Sequence, residues 1–193
     1  MCTVEFPGAG RAFAGASDAL RTAGAALDFL NSPGAVPAGS ACGELLVALG
    51  EVQAKLTAAH AAVLRRFDAT GGHDRDGYGS SSAWLAAKAG MSRKAARAAV
   101  RQMRQLTGRP LLGSALAAGN ITESLTFTIA GWTRKLPAEL RTETDRILLE
   151  AAAAVASPDD LAVIAWCAIE LWRQQQPDPD LPDDGFDDRA LQL

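Results

Sequence analysis

At 193 residues and 48% hydrophobic content the chain can bury one sizeable core, and its formal net charge of −3 gives no reason in itself to expect a polyanionic partner. Aromatic residues make up only 6% and β-branched residues are sparse beside alanine, which favours helix over strand and points to an all-α fold. The odd number of cysteines, Cys2, Cys42 and Cys167, with no paired spacing, argues against a zinc seat or a redox dithiol, and the longest apolar run, Leu161 to Ile169, falls well short of the roughly 20 residues that span a membrane.

Residues 1–10 are expected to be disordered, and they show no basic flank followed by an apolar stretch, which argues against a secretory leader and, with the cysteines, for the cytoplasm. Arg11 to Leu30 predicts a first helix, stopped by Asn31-Ser32-Pro33-Gly34. After the break at Pro37 to Gly39, a long helix is predicted over 41–69. There Leu45, Leu49, Val52, Leu56, Ala59 and Val63 alternate four and three apart, the spacing of an a/d seam. The seam is expected to face the chain's own core in a multi-helix bundle; the alternative is an interaction module that holds another protein, or a second copy in a homodimer, through the 41–69 helix without binding nucleic acid.

Gly71 to Gly79 reads as a polar loop, after which Ser80-Ser81-Ser82 offer hydroxyl caps to a short helix ending near Gly90. Ser92 caps the next helix, which runs to about Thr107 before Gly108 and Pro110 end it. A brief helix near Leu111 to Ala118 should stop at Gly119-Asn120, and another follows from about Thr122 to Leu136-Pro137. A helix opening at Pro137 or Ala138 should run to about Ala156 with Leu140, Ile147, Leu148 and Ala151 inward. In the last helix Ser157 is the N-cap, Pro158 takes the first position and Asp160 completes an acidic form of the capping box. Its body carries Ile164, Trp166, Ile169 and Trp172 and is expected to be buried on more than one side. Residues 177–193 read as an acidic linker or tail. The chain thus divides into a 1–38 segment, a 39–176 helical domain and the tail.

The charges are segregated. Arg93, Lys94, Arg97, Arg101, Arg104 and Arg109 stand with no acid among them, whereas Asp178, Asp180, Asp183, Asp184, Asp187 and Asp188 stand with no base. The basic run lies in the grammar of a helix-turn-helix at about 80–107. Ala86 is small where two helices must approach, Gly90 suits a turn needing positive φ, Met91 inserts between the helices and Ser92 caps the second. On an ideal helix with Arg93 at zero, Arg97, Arg101 and Arg104 fall at about 40°, 80° and 20°. Ala95, Ala99, Met103 and Leu106 fall between about 200° and 280°, the expected core side. Cations sharing one stripe repel each other, and an anionic partner relieves that repulsion. Double-stranded DNA is the expected partner, with Ser92, Arg93, Lys94, Arg97, Arg101 and Arg104 as the expected contact residues. Arg93, Lys94 and Arg97 are placed to read bases, and Arg101 and Arg104 to hold phosphates. The competing account is a solvated face, or one paired internally with Glu139, Glu143, Asp145 or the aspartate tail.

Phe67-Asp68, Gly71, Asp76-Gly77, Ser81, Ala83-Trp84-Leu85-Ala86, Gly90-Met91-Ser92, Ala96, Val100-Arg101, Leu106, Pro110, Ala115-Leu116, Gly119-Asn120-Ile121-Thr122 and Leu136-Pro137 together resemble the actinobacterial 13E12-repeat family over about residues 41–176. The shared domain of that family has no established function and usually precedes an HNH endonuclease domain. The resemblance implies a DNA-associated role and supplies no catalytic residue. An HNH site needs histidines to bind its metal and activate water, and the chain has only His60 and His73, so the nuclease is expected to be missing and no enzyme activity is expected.

Other signals are discounted. In the loop Gly72-His73-Asp74-Arg75-Asp76-Gly77 an EF-hand register would put Gly72 at position one and Ala83 at position twelve, so two ligands are lacking and no metal is expected. His60 reads as a packing residue. Ser80, Ser81 and Ser82 have no histidine base within evident reach, so they read as caps. Trp84, Trp132, Trp166 and Trp172 read as core anchors. No cofactor is expected.

Overall fold

A computed structural model describes residues 15–36, 39–154 and 156–176. The expectations for residues 1–10 and 177–193 lie outside the described residues. The elements are α1 (Ala16–Leu30), α2 (Ser40–Ala69), α3 (Gly72–Arg75), α4 (Ser81–Lys88), α5 (Arg93–Thr107), α6 (Pro110–Ala118), α7 (Glu123–Trp132), a 3-10 turn (Thr133–Lys135), α8 (Ala138–Ala153) and α9 (Pro158–Gln174). Among the described residues there is no strand, and the fold is all-α.

Local chemistry accounts for where the helices start. Ser80, Ser92 and Thr122 each accept a hydrogen bond from the backbone N–H three residues on, at Ala83, Ala95 and Leu125. Ser157 and Asp160 form the reciprocal capping box, and the hydrogen bonds from Ser157 hold the Asp160 carboxyl below its usual range. No described helix is long and apolar enough to cross a membrane. The segment read as a loop after Gly71 contains one helical turn, α3. Gly71 at φ 63° starts it, and an added Cβ at Gly72 would collide with the Phe67 ring.

The chain forms two compact units, Met1–Ala48 and Leu49–Leu193, with the boundary inside α2. Among its described residues the first unit buries none; α1 leaves Leu20, Leu27 and Phe29 exposed.

The second unit contains two connected cores. One joins Ala54 of α2, Leu112 and Leu116 of α6, Ile129 of α7, Leu148 of α8, and Leu161 and Ala165 of α9. The other joins Ala61 and Leu64 of α2, Leu85 of α4, and Ala96, Ala99, Val100 and Met103 of α5. Leu106 packs against both. Each large side chain so buried stabilises the fold by about 1.5–3 kcal/mol.

Three expected core faces are corrected. The a/d seam of α2 faces away from these cores: Leu49, Val52, Leu56, Ala59 and Val63 are exposed, Val63 to 71%. The helix docks instead through its alanine-rich side, Ala54, Ala58, Ala61 and Leu64, because alanine permits a closer helix approach than leucine or valine. On α8 the inward residues are Thr144, Asp145 and Leu148, while Leu140 and Ile147 are exposed. On α9 only Leu161 and Ala165 are buried; Trp166 is 61% exposed, and Trp84, Trp132 and Trp172 are half-buried.

Between α6 and α8 the core includes an ion pair. Arg109 (4% exposed) donates to Asp145 (2% exposed) at 2.9 Å and to the Thr133 hydroxyl at 2.7 Å; Thr133 in turn donates to the Ile129 carbonyl. Burial raises the Asp145 carboxyl to about 6, against the pull of Arg109 and Arg141, and burial also lowers the Arg109 pKa. Arg109 is therefore a core residue and does not belong to the exposed basic row.

Candidate nucleic-acid interface

α4 and α5 pack closely and are joined by the turn 89–92. Gly90 adopts φ 66°, and the Met91 N–H donates to the Leu85 carbonyl at 3.4 Å. Met91 and Ala86 are half-buried against the second core. The side of α5 turned inward is Ala96, Ala99, Val100 and Met103, whereas Ala95 is exposed. The buried arc is therefore shifted towards the arginines relative to the sequence expectation, and the stripe lies along the rim of the α4 contact.

Arg93, Lys94, Arg97, Arg101 and Arg104 are all exposed, as is Ser92. No ion pair or hydrogen bond joins these five cationic side chains to another described residue. Of the acids proposed to neutralise them, Glu139, Glu143 and Asp145 are engaged elsewhere or pair with nothing described, and the aspartate tail lies outside the described residues. Glu143 pairs with Arg146, whose hydrogen bonds hold its carboxyl below the usual range, and Asp145 is buried with Arg109. Glu139 makes no ion pair with the row.

Two adjoining grooves run beside the stripe. The first is lined by Tyr78, Ser80, Ser82, Met91, Arg93 and Arg97. The second shares Ser80, Ser82 and Arg97 and adds Arg101, Arg104 and Arg134. Lys94 lines neither groove. Arg134, from the 3-10 turn, has no signal in the local sequence; its nearness to α5 is a product of tertiary packing. It is exposed and forms no ion pair with a described residue.

The segment before α4 holds the wall of the second groove. Asp76 accepts from the Trp84 indole at 2.6 Å, and the Trp84 ring lies 4.6 Å from that of Phe67. Contrary to the expectation from sequence, a histidine does reach the serines: the Ser81 hydroxyl lies 3.2 Å from His73 Nδ1. It donates to Asp68 at 2.5 Å and is only 2% exposed, so it is tied into the structure and is not presented as a nucleophile. Among the described residues no cluster of three or more His, Cys, Asp or Glu side chains is arranged for a metal.

Comparison with protein families, curated proteins and solved structures gives no match for this chain.

Proposed function

We propose that this chain binds double-stranded DNA as a non-catalytic helical module, with α4 and α5 acting as a helix-turn-helix and α5 entering the major groove. The observation that supports it most is the row Arg93, Arg97, Arg101 and Arg104, exposed and unneutralised by any described acid. Such a row is unfavourable by a few tenths of a kcal/mol per neighbouring pair on an isolated helix. It persists at no cost where phosphates supply the missing charge. The resemblance to the 13E12-repeat family points the same way. A DNA-associated role without chemistry of its own, in the cytoplasm, fits that resemblance and the cysteine usage together.

The test is a duplex titration followed by fluorescence anisotropy at several salt concentrations. With four to six phosphate contacts the log–log slope should lie near −4 to −5. A slope near zero, or no binding at low salt, would reject the proposal.

A second role is favoured by the outward seam of α2. Leu49, Val52, Leu56 and Val63 present an apolar stripe in a/d register, flanked by Lys55 and His60 as the only charged or titratable residues at the adjoining e and g positions. A second copy of the chain supplies a matching seam, and dimers are the common arrangement for helix-turn-helix proteins. Sedimentation of the wild type against a Leu49→Gln/Leu56→Gln variant tests it: a dimer lost in the variant supports the seam, and a wild-type monomer at all concentrations rejects it.

A further inference from the structure

We infer that Arg134 is a phosphate-binding residue of the same DNA surface, so that the footprint on the duplex extends beyond α4 and α5 to the 3-10 turn Thr133–Lys135. This rests on the DNA-binding proposal and deepens it. The groove that contains Arg97, Arg101 and Arg104 on one wall is completed by Arg134 from an element 30 residues further along the chain than Arg104. Four arginines from two separate elements therefore line one concavity. Among the described residues its only acid is Asp68, already occupied as acceptor for Ser81. A single helix can carry a row of arginines merely as a solvated face. A fourth arginine brought to that groove by tertiary folding concentrates positive charge where self-repulsion alone would separate it.

The core shows how Arg134 is held there. Its neighbour Thr133 is fully buried, donates to the Ile129 carbonyl and accepts from Arg109 at 2.7 Å. Arg109 is in turn fixed by Asp145. The backbone at Thr133 is thus pinned from inside, and the next side chain emerges into the groove. Arg109 acts as a positioning residue for Arg134, without touching the ligand. The anion that suits such a rim is a backbone phosphate: the guanidinium fork grips two of its oxygens, and of the Ser80 and Ser82 hydroxyls, which hydrogen-bond to each other at 3.1 Å, the one not donating within that pair can donate to it.

The experiment compares wild type, Arg134→Gln and Arg173→Gln on one duplex between 0.05 and 0.5 M salt, about a tenfold span in which the slope is well determined. Arg173 is exposed on α9 and lies outside both grooves, so its variant removes one positive charge without touching the site. Loss of one contact should make the Arg134→Gln slope shallower by about 0.9, which amounts to binding about eightfold weaker at 0.1 M salt if the lines meet near 1 M. The weakening should be equal on unrelated duplex sequences, and Arg134→Lys should retain most of the slope. Addition of inorganic phosphate at matched ionic strength should not displace the duplex. An unchanged slope in Arg134→Gln, or an equal change in Arg173→Gln, would overturn the inference while leaving the DNA-binding proposal intact. Failure of the wild type to bind duplex would overturn both.

Discussion

Replacing Asp145 by asparagine should destabilise the second unit by about 3–5 kcal/mol, because it leaves the Arg109 charge buried without a counter-ion. The geometry places this pair at the costly end of that range. Both side chains are almost fully enclosed, the contact is 2.9 Å, and Arg109 has Thr133 as its other hydrogen-bonded partner. For a domain of this size about 1 kcal/mol shifts the melting temperature by roughly 2–4 °C, so a fall of about 6–20 °C is expected. Far-UV circular dichroism melts and urea titrations at pH 7 measure it. The paired replacement Arg109→Met/Asp145→Leu removes both charges and should recover most of the loss, since an apolar pair of similar volume is often neutral or stabilising. A single Asp145→Asn variant within about 1 kcal/mol of wild type would refute this account. So would a double variant no more stable than the single one.

Ser92→Ala removes the side-chain acceptor at the start of α5 and should cost about 1 kcal/mol, read from urea denaturation. The same variant should weaken duplex binding only modestly, because the arginine row starts one residue later and stays on the helix.

What the sequence made legible, and what it did not, separates by range. The caps at Ser80, Ser92 and Ser157 and the stop at Gly119 were readable because each depends on a side chain and a backbone group within a few residues. The arginine stripe was readable because helical periodicity alone groups it. The inward side of α2 was not: its alanines and its leucines and valines both recur at helical spacing, and only the partners decide which set is covered. Here the alanine side shares its cores with side chains of α4, α5 and α6. Arg109 looked like one more surface cation because Asp145 and Thr133, which bury it, are 36 and 24 residues away. The exposure of Trp166 has the same origin, since among the described residues α9 turns its Leu161, Ile164 and Ala165 side to the core. His73 comes near Ser81 through α3, a single turn too short to leave a periodic signal.

The central claim is that the guanidinium row of α5 meets a polyanion. A charge-reversed Arg97→Glu/Arg101→Glu protein tests it directly in a duplex-binding titration at low salt, beside a circular dichroism spectrum. The expected result is loss of detectable binding with unchanged helix content, as both side chains are exposed and make no contact that the fold depends on. Wild-type affinity in this variant, with its helices intact, would contradict the claim.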